Sequence, residues 1–329
     1  MIRLHTSGDV PDADFKKILS QLYSSLKRQV FVQELSHKEL VFIYGNDKLK
    51  KIYTFSLPAG HSCPGAEACL SKAGRYGNGL VDGPKCEFRC FAASEEARLT
   101  EVRLIRWHNM DKLKSCLTTA EIVNLIQRSL PRDAETIRIH VSGDYYNRNY
   151  FQAWIEVARL NPGIVFYSYT KSIPLLVDLK KTFPTNFRVT ASFGGRWDNL
   201  IIPNNLFYSK VVKDAVEAAA LGLEVDDDDS HAIAGDSSFA LIIHATQPPG
   251  SEMAKAWTAI IMAKRNEPKA PKRQMNRSEK TVLQWIAQIY RMVARLQAAG
   301  GTILPQDLIV LNDLQVGWGV PSALIGAEA

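Results

Sequence analysis

Six short runs of β-branched and aromatic residues, separated by stretches of helical periodicity, restrict this chain to very few architectures. The strand-like runs are Lys51–Leu57 (KIYTFSL), Thr136–Ser142 (TIRIHVS), Ile164–Thr170, Phe187–Phe193, Phe239–Ala245 and Asp307–Asp313. Helical patterns cover Thr119–Ser129, Tyr150–Leu160, Pro174–Thr182, Ser209–Leu221, Ser251–Lys264 and Ser278–Ala299. Each connection is long enough for a crossover between parallel strands, whereas antiparallel neighbours need only a tight turn. The expected fold is therefore α/β, either a parallel partial (β/α)6 barrel or an open doubly wound parallel sheet. Both place ligand sites at the carboxyl ends of their strands.

The 329 residues, 46% of them hydrophobic, are enough for a large core. Residues 1–45 are read as an N-terminal helical appendage, with Leu19, Leu22 and Leu26 on one face of a helix over Ala13–Gln29. Residues 46–329 then form a single α/β core, interrupted by a cysteine-rich loop at 58–93 and a basic loop at 264–280. The basic loop carries seven Lys or Arg against two Glu, and the whole chain has a net charge of +6. That balance suits an anionic ligand and permits nucleic acid without indicating it. No apolar run is long enough to cross a bilayer, and the N-terminus lacks the pattern of a secretion signal, so a cytoplasmic location is expected.

Four of the five cysteines, Cys63, Cys69, Cys86 and Cys90, fall within 28 residues. In a reducing compartment such a cluster reads as ligands rather than as disulfides. Thiolates suit zinc or an iron–sulfur cluster. Structural zinc sites favour paired C-x2-C knuckles, and neither spacing here is that tight, so a larger [4Fe–4S] centre is the better match, with Zn2+ as the alternative. Cys116 lies apart and reads as a packed residue.

The strand ends gather further polar groups. Ser142, Gly143 and Asp144 follow the second strand; Thr170, Lys171 and Ser172 follow the third; Ser192, Gly194, Gly195 and Arg196 follow the fourth; His244 and Gln247 follow the fifth. Glycine admits close backbone approach, while Asp, Ser and Thr supply carboxylate and hydroxyl contacts, as a ligand pocket requires.

This order of motifs resembles that of radical S-adenosylmethionine (SAM) enzymes: a cysteine loop after strand one, a small-Gly-acid motif after strand two, then polar turns after strands three and four. The run FSLPAGHSCPGAEAC…CFAAS…RWHN…IHVSGDYY…FYSYTKS…ASFGGR is also similar to the uncharacterised "gene product 88" family of phages and cyanobacteria, over roughly residues 40–250. The resemblance implies a barrel of radical-SAM type, in the cytosol of a bacterium or a phage-infected host. It also implies a [4Fe–4S] cluster, SAM bound through Ser142, Gly143, Asp144, Thr170, Ser192 and His244, and an electron donor as partner. Asp144, Lys171 and Arg196 would be the catalytic residues, acting on a small-molecule or nucleotide-type substrate. The superfamily's C-x3-C-x2-C triad is missing. Cys63, Cys69 and Cys90 are the triad the resemblance selects, because Phe91-Ala92 after Cys90 is similar to the C-Y-A that ends such loops. The alternative function is a zinc-bound, nucleic-acid-associated phage protein without redox chemistry.

Other residues have plainer readings. The RWHN run (Arg106–Asn109) reads as a helix-end turn with a packed Trp, or as pocket lining. His140 reads as a satisfied core histidine. Asp226–Asp229 reads as a solvated turn, with a divalent-ion site on Asp228, Asp229 and His231 as the alternative. Tyr145, Tyr146, Tyr150 and Trp154 read as core packing rather than a base-stacking surface.

Overall fold

The computed structural model describes residues 13–45, 49, 52–77, 79–266 and 282–318. The chain divides into two compact units, one made of Met1–Lys38 with Lys269–Ala329 and the other of Glu39–Pro268. This differs from the expected 1–45 and 46–329 in its second half: residues 269–329 group with the N-terminal helix. Most of the basic loop, residues 267–280, lies outside the described residues.

The chain opens with α1 (Ala13–Ser36) and the short strand β1 (Ile43–Tyr44), followed by β2 (Ile52–Ser56). The cysteine-rich segment holds a small hairpin, β3 (Ser71–Ala73) and β4 (Leu80–Asp82), and ends in α2 (Phe91–Arg98), so it is not structureless. Then come α3 (Thr100–Lys114), α4 (Thr119–Ser129), β5 (Thr136–Ser142), α5 (Arg148–Leu160), β6 (Val165–Thr170), α6 (Ile173–Leu179) and β7 (Phe187–Ser192). The sheet unit continues through β8 (Tyr208–Val212), α7 (Ala215–Ala220), β9 (Glu224–Val225), α8 (Ser230–Ala234), β10 (Phe239–Ile242) and α9 (Glu252–Asn266). Finally α10 (Val282–Ala298) and α11 (Pro305–Trp318) join α1 in the helical unit, where Leu19, Leu22 and Leu26 are buried with Ile289, Val293 and Leu311.

The sheet order is β1-β2-β5-β6-β7-β8-β10-β9. Only β1 is antiparallel; every other pairing is parallel. This is a mixed α/β fold whose mostly parallel sheet fits the open-sheet alternative, and among the described strands it does not close into a barrel. One face is covered by helices. Phe55, Ile137, Ile139 and Phe166 pack there against Ile126 of α4, Trp154 of α5 and Leu176 of α6, all fully or nearly fully buried. Each such aromatic or aliphatic side chain contributes roughly 1.5–3 kcal/mol when removed from water. Local signals set these helices. Thr118 and Glu121 form a reciprocal capping box at the start of α4, and the Asn147 side chain accepts from Tyr150 N at 2.9 Å to start α5.

Two expected elements are corrected. Asp307–Asp313, read as a strand, lies inside α11; Pro305 opens that helix with a preset φ, and Leu311 is buried in the helical unit. Ser209–Leu221, read as one helix, starts as β8 and becomes helical only at Ala215. There Asp214 caps α7 by accepting from Glu217 N at 2.9 Å.

Candidate metal centre

The cysteine loop is anchored at its root by polar groups that the helix covering it buries. Asn109 of α3 accepts from Val41 N (2.8 Å) and donates to Val41 O (3.0 Å) and Ser56 O (3.1 Å). Glu96, fully buried, accepts from Ala59 N at 3.0 Å and from Arg106 Nη1 at 3.3 Å; burial pushes its carboxyl pKa up. The RWHN run is thus mid-helix. Arg106 and Asn109 fix the loop, and Trp107 packs on His61 with ring centroids 4.9 Å apart.

From this root the loop crosses the strand ends. Gly65 lies so close to Lys171 that a Cβ on it would come within 2.1 Å of the Lys171 carbonyl oxygen, which makes glycine obligatory there. Gly65 O accepts from Arg196 N (2.9 Å), Ala68 N donates to Gly194 O (2.9 Å), and Arg89 N donates to Gln247 Oε1 (2.7 Å). The Phe91 ring meets His244 at 4.8 Å. These contacts pin the loop over the ends of β6, β7 and β10.

Beneath the loop is a cavity of about 190 Å³, lined by Cys63, Cys69 and Cys90 but not by Cys86. They are the same three thiols that the resemblance selects. Cys86 lies on the hairpin side of the loop, still near enough to Cys69 and Cys90 for the thiolate charges to repel. Its Sγ donates to Phe88 O at 3.3 Å and lies 3.6 Å from Ser71 Oγ. Burial, with added repulsion from Asp144 and the neighbouring thiols, pushes Cys63 well above its ordinary value. Burial also pushes Cys69 up to about 11, against the opposing pull of Lys171. Buried thiols of this kind stay protonated until a cation replaces their protons, so metal loading here would release protons. Among the described residues, no three His, Cys, Asp or Glu side chains converge as they would round a single ion.

The rim residues expected from the strand ends meet at the same cavity: Ser142, Gly143, Asp144, Thr170, Lys171, Ser192 and His244 all line it. Ser142, Gly143 and Asp144 reach it through a register shift in β5. Phe55 pairs with Ile139 and Ser56 with Ser142, so His140 and Val141 are extra residues that re-aim the strand end. His140 takes a left-handed backbone (φ 68°), its Nε2 shares a hydrogen bond of 2.9 Å with Tyr150 Oη, and burial lowers its pKa to about 3. Gly143 follows with φ 91°, and a Cβ there would lie 2.6 Å from Leu57 Cβ. Asp144, buried, accepts from Thr170 Oγ1 (2.5 Å), Tyr145 N (2.7 Å) and Lys171 N (2.8 Å). Even so, burial outweighs these bonds and raises its pKa to about 6. The Lys171 ammonium donates to Ser192 Oγ (2.6 Å) and Phe193 O (2.7 Å).

Arg196 is not brought to this place; it is exposed and lines no part of the cavity. In the acidic run, Asp229 is committed to Arg138 (2.6 Å), Tyr167 Oη (2.8 Å) and Tyr169 Oη (3.1 Å), so it is an internal ion-pair partner rather than an ion ligand. Tyr145, Tyr150 and Trp154 are fully buried in the core. Cys116 Sγ contacts Lys112 O at 3.7 Å and packs against the core edge. Arg138, which lines the cavity from within β5, went unnoticed in the sequence because an isolated Arg inside a strand looks like a solvent-facing residue.

A mostly parallel α/β sheet with three thiols, a buried carboxylate and a lysine at its strand ends defines an α/β protein with a candidate metal centre. The chain belongs to the Gene product 88 family, whose model matches residues 33–261, nearly the span of the sheet unit. It is 27% identical over 137 residues to the Gene 88 protein of Mycobacterium phage L5, an alignment covering 39% of this chain and 51% of the phage protein. The chain therefore matches about half the length of that relative. No solved structure matches it. Among the described residues, no helix is long and apolar enough to cross a membrane.

Proposed function

We propose that this protein is a radical-SAM-like iron–sulfur enzyme, with Cys63, Cys69 and Cys90 holding a [4Fe–4S] cluster beside bound SAM. The observation that carries the reading is that one cavity takes three of the four thiols together with Asp144 and Lys171. When bound, such a cluster supplies one electron, received from a donor protein, for reductive cleavage of SAM. The chain's own residues bind and orient. A carboxylate offers about four acceptor positions. Asp144 uses three, which leaves one on Oδ2 for the ammonium of SAM. Lys171, held by Ser192 and Phe193, sets a positive charge on the same cavity for a ligand carboxylate. Gly143 lets backbone approach the ligand, Ser142, Thr170 and His244 complete the wall, and the cysteine loop covers it against water. Arg196 has no part in this reading.

The same reading takes the sheet as a partial (β/α)6 barrel. Strands β2, β5, β6, β7, β8 and β10 stand in chain order, so right-handed crossovers keep stepping the same way; α4, α5 and α6 stack on one face, while the short α8 packs against β6 and β7 on the other. Strands β5 and β10 are four spacings apart, about 19 Å on a flat sheet. Both line one small cavity, which supports a sheet curled round it.

The test is anaerobic purification with metal, sulfide and product analysis. The proposal expects a brown protein with about four irons per chain and a broad band near about 400 nm. It also expects 5′-deoxyadenosine on reduction with SAM, and loss of iron in Cys63→Ala, Cys69→Ala and Cys90→Ala. A colourless protein with one zinc per chain would overturn it in favour of the zinc-bound, nucleic-acid-associated alternative. A cluster that yields no 5′-deoxyadenosine would overturn the catalytic part.

A further inference from the structure

A second cavity, of about 440 Å³, adjoins the first and shares Phe88 and Val211 with it as a common wall. Its size falls among small-ligand clefts, which span roughly 300–1,000 Å³. The turn that follows β7 builds one side of it. Phe193 N donates to Ser209 O at 2.9 Å, which sets the Phe193 ring beside Lys210 of β8, whose ammonium lies 5.8 Å from the ring centre. Gly194 and Gly195, next in the chain, donate their N–H groups to the two oxygens of Asp198, at 2.8 and 2.9 Å. Asp198 and Lys210 therefore flank one turn, and both line the cavity. The charges around it do not cancel. Glu67 is paired with Lys85 at 2.7 Å, which leaves Lys210 as one positive charge against Glu87, Asp198 and Glu217. Among the described residues these four have no ion-pair partner; Asp198 and Glu217 accept only backbone N–H groups, the latter from Lys213 at 2.8 Å.

From these features we infer that the second cavity binds an α-amino acid with a cationic side chain, such as lysine. The ligand carboxylate meets Lys210, and its α-ammonium meets Asp198, which has used two of a carboxylate's roughly four acceptor positions. The side-chain cation meets Glu87 and Glu217, with its methylenes against Phe88 and Met253. Each simpler ligand leaves charge unanswered. An anion would face three carboxylates, a diamine would meet the Lys210 ammonium, and a neutral amino acid would leave Glu87 and Glu217 without a cation. The inference goes beyond the reading above and does not need the metal centre, because Glu87, Asp198, Lys210 and Glu217 line this cavity and not the one beneath the thiols.

The experiment titrates three probes into the full chain purified anaerobically: L-lysine, cadaverine (which lacks the carboxylate) and ε-aminocaproate (which lacks the α-ammonium). Calorimetry follows binding at low ionic strength, where partly exposed charges are least screened. Saturable L-lysine binding is expected, with each analogue at least about tenfold weaker. Lys210→Met keeps an apolar stem over Phe193. It should weaken L-lysine at least about tenfold and leave cadaverine as tight or tighter, a split that a folding defect would not produce. Glu87 is exposed, so Glu87→Gln should weaken L-lysine and cadaverine alike, by about threefold. Thermal unfolding of each variant confirms that it is folded. No L-lysine saturation by the folded wild-type chain overturns the proposal. So does either analogue binding as tightly as L-lysine, or a Lys210→Met chain that keeps the wild-type preference for L-lysine over cadaverine. These readouts are of binding alone. Iron content and 5′-deoxyadenosine report on the cofactor reading, so the two can fail separately.

Discussion

Two buried aspartates lie near the cavity, Asp144 in its wall at the strand ends and Asp229 behind Arg138, at the floor, and they are satisfied in opposite ways. At the floor, Asp229 faces a guanidinium and two phenol hydroxyls, and its charge is cancelled where it stands. At the rim, Asp144 accepts three hydrogen bonds, but none comes from a cationic group, since Lys171 offers its backbone N–H and turns its ammonium to Ser192 and Phe193. Burial consequently prevails at Asp144, whose pKa rises to about 6. The floor is built as a closed structural unit. The rim carries a shortfall of positive charge, with two raised thiols beside the carboxylate, that a cationic ligand or metal centre would correct.

The largest effect should come from breaking the closed end. Asp229→Ala leaves the Arg138 guanidinium, 14% exposed in its side chain, without its partner. Removing one member of such a pair costs about 3–5 kcal/mol. Denaturant unfolding measures it, and a loss under about 1 kcal/mol would mean that the floor does not depend on charge cancellation.

The rim should respond to pH instead. The folded pKa of Asp144, about 6, lies above its ordinary value of 3.8, so the folded state holds that proton more tightly. The resulting stabilisation is fully present below about pH 4 and is lost as pH rises through 6. It amounts to about 3 kcal/mol at 1.36 kcal/mol per unit. Glu96 and Asp226 are also raised, so the informative quantity is the difference from Asp144→Asn, which cannot titrate. Wild type should lose about 2–2.5 kcal/mol more than the variant between pH 4 and 7. Parallel pH profiles would remove the contrast between the two ends. A smaller loss, about 1–3 kcal/mol, is expected for Gly143→Ala, where a side chain meets both a left-handed backbone and Leu57. Thermal or denaturant unfolding reads it directly.

How much of this was legible in the sequence follows from where polar residues are buried. Strands β2, β5, β6, β7 and β10 announce themselves through β-branched and aromatic residues, and α4 and α5 through their caps. Helices α2 and α3 were passed over because Glu96, Arg103, Arg106 and Asn109 are buried polar residues that break the apolar periodicity a helix is recognised by. Similar physics hid Arg138: a charge inside a sheet is readable only with its partner, and Asp229 is 91 residues away. The rim residues were found at the strand ends because the carboxyl-end rule is topological and needs no side-chain detail. What spacing alone does not tell is which thiols line the cavity: Cys86, four residues before Cys90, bonds instead to Phe88 O and sits beside Ser71 of the hairpin.

That separation sets the smallest and sharpest prediction. Cys86 is half-buried, makes one hydrogen bond to Phe88 O and sits beside Ser71, surroundings that a serine hydroxyl also satisfies. Cys86→Ser should therefore change stability by less than about 1 kcal/mol. On the cluster reading it should also leave the iron content unchanged, while Cys63→Ser, Cys69→Ser and Cys90→Ser each empty the centre. Iron and sulfide analysis of the four variants, purified side by side without oxygen, makes the comparison. Loss of iron in Cys86→Ser equal to that of the other three would mean that the hairpin delivers a fourth ligand. The centre would then be coordinatively closed, like the floor beneath it, and suited to electron transfer or structure rather than to opening a bound sulfonium.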